Sequence, residues 1–233
     1  MSSDYRAKHN WQSPKKAAAY KITRDPSRYK RAPKEDAILK GWLGTLNPGA
    51  SVLDCPCGTG RFTPLITQLG FRYTGADISV AMMNEARKTS GAGSAIDFIE
   101  ADAEHLPFPD NSFDCVIIWR FLKHIVDPTV RLRILAEAAR VSRDKVLISF
   151  YHPLSFTFAR IQIKNRFSKK KKNPGVFTHW QLEKDAKQCG LEVSETKSFQ
   201  KYVSINWFAC LSKTVKRSAP TETGAKPNPL VHE

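Results

Sequence analysis

At 233 residues, 41% of them hydrophobic and 25% charged, the chain has the size and balance of one globular domain with small extensions. No apolar run approaches the ~18 residues of a membrane span, and Met1–Asn10 lacks the apolar stretch of a secretory signal. The net charge of +15 lies in the flanks: Lys+Arg against Asp+Glu stand at 11 to 4 over residues 1–50, 11 to 12 over 51–150, and 15 to 6 over 151–233.

Residues 1–34 are polar and basic with interspersed aromatics, and read as an arm or as a cover carrying Tyr20, Arg28, Tyr29 and Arg31. An amphipathic helix is expected from Lys34 to Leu46, with Ile38, Leu39, Trp42 and Leu43 on one face, before Pro48-Gly49 breaks it. Ser51 to Cys55 reads as a short buried strand, and Arg61 to Leu69 as a helix stopped by Gly70. Arg72 to Ala76 is a second strand, followed by a helix from Val80 to about Lys88 capped by Ser79. Ala95 to Glu100 and Phe113 to Trp119 are the third and fourth strands. A helix from Thr129 to Val141, opened by Pro128, leads to a fifth strand, Lys145 to Phe150.

This alternation implies a parallel sheet with helices on both faces. Residues 151–177 break the rhythm and read as an irregular, basic substrate lid, with Arg160, Lys164, Arg166 and the run Lys169–Lys172 as anion-binding candidates. Thr178 is expected to cap a helix to Gln188. Two strands, Leu191 to Ser198 and Val203 to Ser212, then precede a disordered tail over 213–233. The domain proper is thus 35–212.

The chemistry concentrates in the first strand-to-helix loop. Gly58-Thr59-Gly60 lets a ligand approach the backbone closely. Thr63 stands where a dinucleotide fingerprint wants Gly or Ala, and no P-loop lysine follows. Asp54 at the strand end would repel a phosphate and attract an ammonium. Asp77 closes the second strand, where a carboxylate can take ribose hydroxyls, and Asp102 closes the third, within reach of an adenine amino group. Three acids in register at the carboxyl ends of parallel strands point to an ammonium-bearing nucleoside. Five cysteines, Cys55, Cys57, Cys115, Cys189 and Cys210, have no zinc spacing; they read as reduced and buried in a cytoplasmic protein, and no metal is expected.

Val52-Leu53-Asp54-Cys55-Pro56-Cys57-Gly58-Thr59-Gly60 resembles the first motif of class I S-adenosylmethionine-dependent methyltransferases of the small-molecule, type 11-like group, with Pro56 where the family usually has Gly. Thr74–Ser79 with Met82, Glu100–Phe108 and Phe113–Val116 resemble the following motifs. The resemblance implies a Rossmann-like α/β fold: a doubly wound sheet of about seven strands, mostly parallel, with an antiparallel last strand at its edge. It implies S-adenosyl-L-methionine as cofactor, with Asp54, Gly58 and Gly60 at the methionine part and Asp77 at the ribose. Ile78, Asp102 and Ala103 would meet the adenine, and Trp119 and Arg120 would line the methyl end. The family's Leu-His-His appears as Leu122-Lys123-His124, which puts the role of the replaced His in doubt.

Methyl transfer needs alignment, exclusion of water and, for a hydroxyl, a base. His124 and His152 are the candidates. The leading expectation is O- or N-methylation of a small or lipid- or sugar-linked, anionic acceptor. The basic flanks also admit an RNA methyltransferase, or peripheral contact with an anionic membrane surface. Lys123 in place of His keeps open a non-catalytic cofactor-binding scaffold.

Overall fold

The computed structural model describes residues 12–24, 32–88, 96–168 and 174–214. Arg28, Tyr29, Arg31, the lysine run 169–172 and nearly all of the expected tail lie outside them.

Seven strands form one sheet in the order β3-β2-β1-β4-β5-β7-β6. They are β1 (Ser51–Asp54), β2 (Arg72–Asp77), β3 (Ile96–Glu100), β4 (Phe113–Ile118), β5 (Ser142–Tyr151), β6 (Leu191–Ser198) and β7 (Asn206–Lys213). β1 pairs in parallel with β2 and β4, β2 with β3, and β4 with β5. β7 runs antiparallel to both β5 and β6. The last strand is therefore antiparallel as expected, but it is not the edge strand. It inserts between β5 and β6, so its apolar run Trp207–Leu211 is covered on both sides by backbone partners.

The helices are α1 (Pro14–Arg24), α2 (Ala32–Leu43), α3 (Thr63–Gln68), α4 (Val80–Arg87), α5 (Pro128–Val141), α6 (Phe156–Arg166) and α7 (His179–Gln188), with a 3₁₀ turn at Leu122–His124. The period of two along the strands divides the core into two layers. Leu53, Val116, Ile118, Val146, Ile148 and Leu211 pack on one face. Val52, Cys115, Ile117, Trp119, Leu147 and Phe208 pack on the other. Both faces of the central strands are buried, which is why they read as continuous apolar runs.

Local chemistry fixes the helix starts. Ser79 Oγ accepts from Met82 N at 3.2 Å, Asp127 from Thr129 N at 2.8 Å, and Thr178 and Gln181 form a reciprocal capping box.

Three expectations change. The polar N-terminal stretch contains helix α1, started by Pro14 and carried by Ala17-Ala18-Ala19, good helix formers whose presence outweighs the weak amphipathic pattern. The supposed irregular lid contains α6, because Ser155 caps it at Phe158 N and no Gly or Pro interrupts 156–166. β7 begins at Asn206 instead of Val203, because the amides of Val203 and Ser204 turn back onto Gln200 O. Among the described residues no helix is long and apolar enough to cross a membrane.

Candidate active site

A cavity opens at the carboxyl ends of β1, β2 and β4. Its lining includes Asp54, Gly58, Asp77, Ile78, Ala103, Trp119, Arg120 and His124. Tyr20, Arg61, Phe62, Met82 and Phe121 also line it, as do Cys55, Pro56, Cys57 and Thr59 of the loop and Ala101.

Asp54 is buried, and the Tyr73 hydroxyl donates to its Oδ2 at 3.1 Å. Burial lifts this carboxyl to about 7; the Tyr73 hydrogen bond opposes the rise and the nearby Asp77 adds to it. Asp77 is held differently. Its Oδ2 accepts from Gly58 N at 2.8 Å and its Oδ1 from Ser79 N at 2.9 Å, which fixes the carboxylate plane at the strand end. Burial raises it to about 6 against the pull of those amides. The cavity thus carries two carboxyls whose pKa burial raises, and a cation placed beside them would favour their charged forms.

The two loop glycines do different jobs. Gly58 has φ +56 and lines the cavity; a Cβ there would touch only Met82 Cε, at 3.4 Å. Gly60, with φ +68, is not in the lining. A Cβ at Gly60 would lie 2.8 Å from Ala86 Cβ and 2.9 Å from Thr63 Oγ1, so glycine there lets the loop pack against α4. Burial pushes the Cys55 and Cys57 thiols up, and both cysteines are free thiols.

At the end of β4, Trp119 stacks on Phe208 with ring centroids 5.0 Å apart and meets Phe62 edge-on at 5.7 Å. Its buried Nε1 has no hydrogen-bond partner among the described residues. Arg120 follows with φ +59, its amide donating to Ser149 Oγ; this left-handed turn swings the chain out of the strand. His124 ends the 3₁₀ turn at the same cavity.

Asp102 departs from the expected trio. It is not in the lining; its Oδ1 accepts from Glu104 N at 3.1 Å, folding the carboxylate back onto its own turn. His152 is also elsewhere. It is buried after β5 in a second depression with His179, Trp207, Lys201 and Tyr202, where its Nδ1 accepts from Leu154 N at 3.2 Å. Arg160, Lys164 and Arg166 lie exposed along α6 and do not line the cavity.

Arg61 stands out among wall residues that the sequence did not single out. Its Nη2 bonds Asp36 Oδ1 at 2.8 Å and Ala32 O at 3.2 Å, and its Nη1 lies 3.4 Å from Glu35 Oε2, tying α2 to the loop. Tyr20 reaches the cavity because α1 lies on α4, with Lys21 Nζ bonding Glu85 O at 2.6 Å and Gln12 Nε2 bonding Ile78 O at 3.2 Å. Pairings across 25 residues or more leave no local signal in the chain.

Residues 52–145 match a family model described as a methyltransferase domain. That segment, which runs from β1 to the start of β5, is similar to methyltransferase domains. The ubiquinone/menaquinone biosynthesis C-methyltransferase UbiE of Hahella chejuensis is 38% identical over 111 residues, covering 45% of each chain. The demethylmenaquinone methyltransferase of Mycolicibacterium paratuberculosis is 33% identical over 116 residues, 50% of this chain and 48% of that one. The chain spans about half the length of the curated relatives it matches. Among solved structures, magnesium protoporphyrin IX methyltransferase from Synechocystis PCC 6803 with bound SAH superposes with TM-score 0.73 at 17% identity, over 89% of this chain and 98% of that one. The PH0226 protein of Pyrococcus horikoshii does so with TM-score 0.68 at 20% identity, over 85% and 98%. At these identities the superpositions speak to the fold, which is the Rossmann-like sheet expected from the motifs.

Proposed function

We propose that the chain is an S-adenosylmethionine-dependent methyltransferase acting on a small hydroxylated ring compound that is deprotonated in the site. The observation that carries this reading is one cavity that joins two buried carboxyls to an aromatic wall with a cationic rim. Asp54 and Asp77 lie at one side, Phe62, Trp119 and Phe121 form the wall, and Arg120 and His124 stand at the β4 end.

The residues present fit the cofactor. Asp54, whose pKa burial raises to about 7, suits the methionine ammonium because a cation beside it favours its charged form. Asp77, oriented by two amides, suits the ribose hydroxyls. Gly58 leaves the backbone open to close approach, and Ile78, Met82 and Ala103 offer an apolar bed for the adenine. The Trp119 indole N–H is a buried donor suited to an acceptor in the cavity. Bound there, S-adenosylmethionine supplies a methyl group activated on a sulfonium.

The chain's own groups then have three tasks. The aromatic wall excludes water and orients a flat acceptor. His124 takes the acceptor's hydroxyl proton, and Arg120 pairs with the oxyanion left behind. The thioether that such a methyl donor would leave behind needs no protonation, so no acid is required of the chain. The names of the relatives, a ubiquinone/menaquinone biosynthesis C-methyltransferase and a demethylmenaquinone methyltransferase, support a ring acceptor. Because a phenolate is nucleophilic at oxygen and at ring carbon, product analysis identifies the methylated atom.

The test is transfer of labelled methyl to dihydroxylated aromatic acceptors, with RNA as a competing acceptor pool. The expected result is label in the ring compound, reduced about 100-fold in His124→Gln, within the usual range for a lost general base. Label found only in RNA, or His124→Gln at full activity, would overturn the acceptor assignment.

A further inference from the structure

Helix α6 lies in the stretch 151–177 that reads from sequence as a basic substrate lid, and its Arg160, Lys164 and Arg166 do not line the cavity. It has no buried residue. Thr157, Phe158, Ile161 and Asn165 are half-buried and share the side that rests on the protein. Phe156, Ile163 and Phe167 recur at spacings of seven and four and therefore share the opposite side.

These three side chains, with Leu154 and Tyr202, are between 61% and 84% exposed. The start of α6 adjoins the Tyr202 turn, because Phe156 N bonds Tyr202 O at 2.8 Å and the Thr157 hydroxyl bonds Val203 O at 2.8 Å, and Leu154 and Tyr202 line one depression. Tyr202 holds φ +63, a conformation that bulky residues rarely adopt, and it remains largely exposed. Scattered exposed apolar residues need no explanation, but a cluster of this size does.

Charge selects the occupant. Arg160 and Lys164 flank the apolar side along one border and Arg166 along the other, and Lys201 sits beside Tyr202. Among the described residues none of the ion pairs uses Arg160, Lys164, Arg166 or Lys201. The sequence holds no acidic residue at all between Asp144 and Glu183. A single-stranded nucleic acid would use the cations and stack on Phe156 and Phe167, yet leave the exposed aliphatic side chains of Leu154 and Ile163 in water. A lipid surface uses both: apolar side chains enter the acyl boundary while long basic side chains reach back to anionic headgroups.

We infer that α6 and the adjoining Tyr202 turn form a docking face for an anionic lipid surface. The face lies outside the cavity and does not depend on which acceptor is methylated. Its test is co-sedimentation of the full chain with vesicles of equimolar phosphatidylglycerol and phosphatidylcholine, against phosphatidylcholine alone, with rising sodium chloride.

The expected result is salt-sensitive binding to the anionic vesicles only. The triple variant Phe156→Ser/Ile163→Ser/Phe167→Ser should weaken it on the order of tenfold or more, as should Arg160→Glu/Lys164→Glu. Both variants change exposed positions and should keep the parent's thermal unfolding. No vesicle binding by the parent, or binding indifferent to both variants, would overturn the inference. So would single-stranded RNA bound in place of vesicles and lost only on charge reversal, or a dimer abolished by the serine variant.

Discussion

The mouth of the sheet at β1 and β2 and the outer face of α6 are opposites in charge and in solvent. At the first, Asp54 and Asp77 are withdrawn from water, and burial holds both carboxyls well above their ordinary range. At the second, Arg160, Lys164 and Arg166 stand in water beside exposed Phe156, Ile163 and Phe167. The difference teaches that the net charge of +15 describes the outside of this molecule and says the wrong thing about its cavity. A buried carboxyl is governed by desolvation and its few neighbours, whereas an exposed cation acts through long-range field and is screened by salt.

The sharpest way to break that contrast is Asp54→Asn, which keeps a carbonyl for Tyr73 and removes the charge. Losing one member of a buried charge pair costs roughly 2–5 kcal/mol, so cofactor affinity by calorimetry should fall on the order of 100-fold or more. In the parent the cofactor ammonium favours the charged carboxylate, so affinity should rise with pH up to about 7 and level off, with proton release on binding below that point. Stability has the opposite slope. The folded value of Asp54 lies above its unfolded value, so its contribution is full below about 4 and is lost as pH rises through 7. Without cofactor, Asp54→Asn should therefore unfold at a higher temperature than the parent at pH 8 and show no such gain at pH 4. Unchanged affinity together with unchanged pH slopes would remove Asp54 from the site.

The same two regions differ in how much of them can be read from the chain. The succession of strands along the chain up to β5 and the loop glycines are legible because buried parallel strands are continuous apolar runs and turns need particular residues. Asp54, Asp77 and Asp102 look equivalent as strand-end acids, yet only the first two line the cavity. Whether a carboxylate projects forward or folds back, as Asp102 does onto Glu104 N, depends on the next turn of backbone. Helix α6 was hidden because its pattern is not amphipathic toward a core: it rests on the protein with half-buried residues and puts large apolar ones outside. The coupling of Arg61 to α2 and the seating of Tyr20 depend on contacts far apart in sequence, which no local pattern encodes.

The glycine pair sharpens the comparison within the cavity loop itself. Gly60→Ala must accept a left-handed backbone and displace Ala86 and Thr63, so it should cost about 2–3 kcal/mol, a fall in Tm of roughly 5–10 °C. Gly58→Ala meets only the flexible end of Met82, so its cost should be nearer 1–2 kcal/mol from the backbone alone. Its larger effect should be on cofactor affinity, since its new methyl group narrows the cavity that Gly58 lines. If Gly60→Ala proved the better tolerated of the two in thermal unfolding, the division of labour between them would be wrong.

The smallest effect is expected at His152, which separates the two regions most cleanly. It was a candidate base on sequence grounds, but it lies with His179 and Trp207 in the second depression. His152→Gln should leave cofactor affinity and methyl transfer within about twofold of the parent, far from the ~100-fold expected of a lost base. Its signature belongs to acid stability instead. Burial, reinforced by His179, holds His152 below its ordinary value, so the neutral ring favours folding above about 6.5. That contribution fades as pH falls through the lowered folded value. Thermal unfolding of His152→Gln should therefore decline less steeply on acidification than that of the parent. A loss of methyl transfer in this variant, with folding intact, would instead connect the second depression to the chemistry and dissolve the boundary between the two regions.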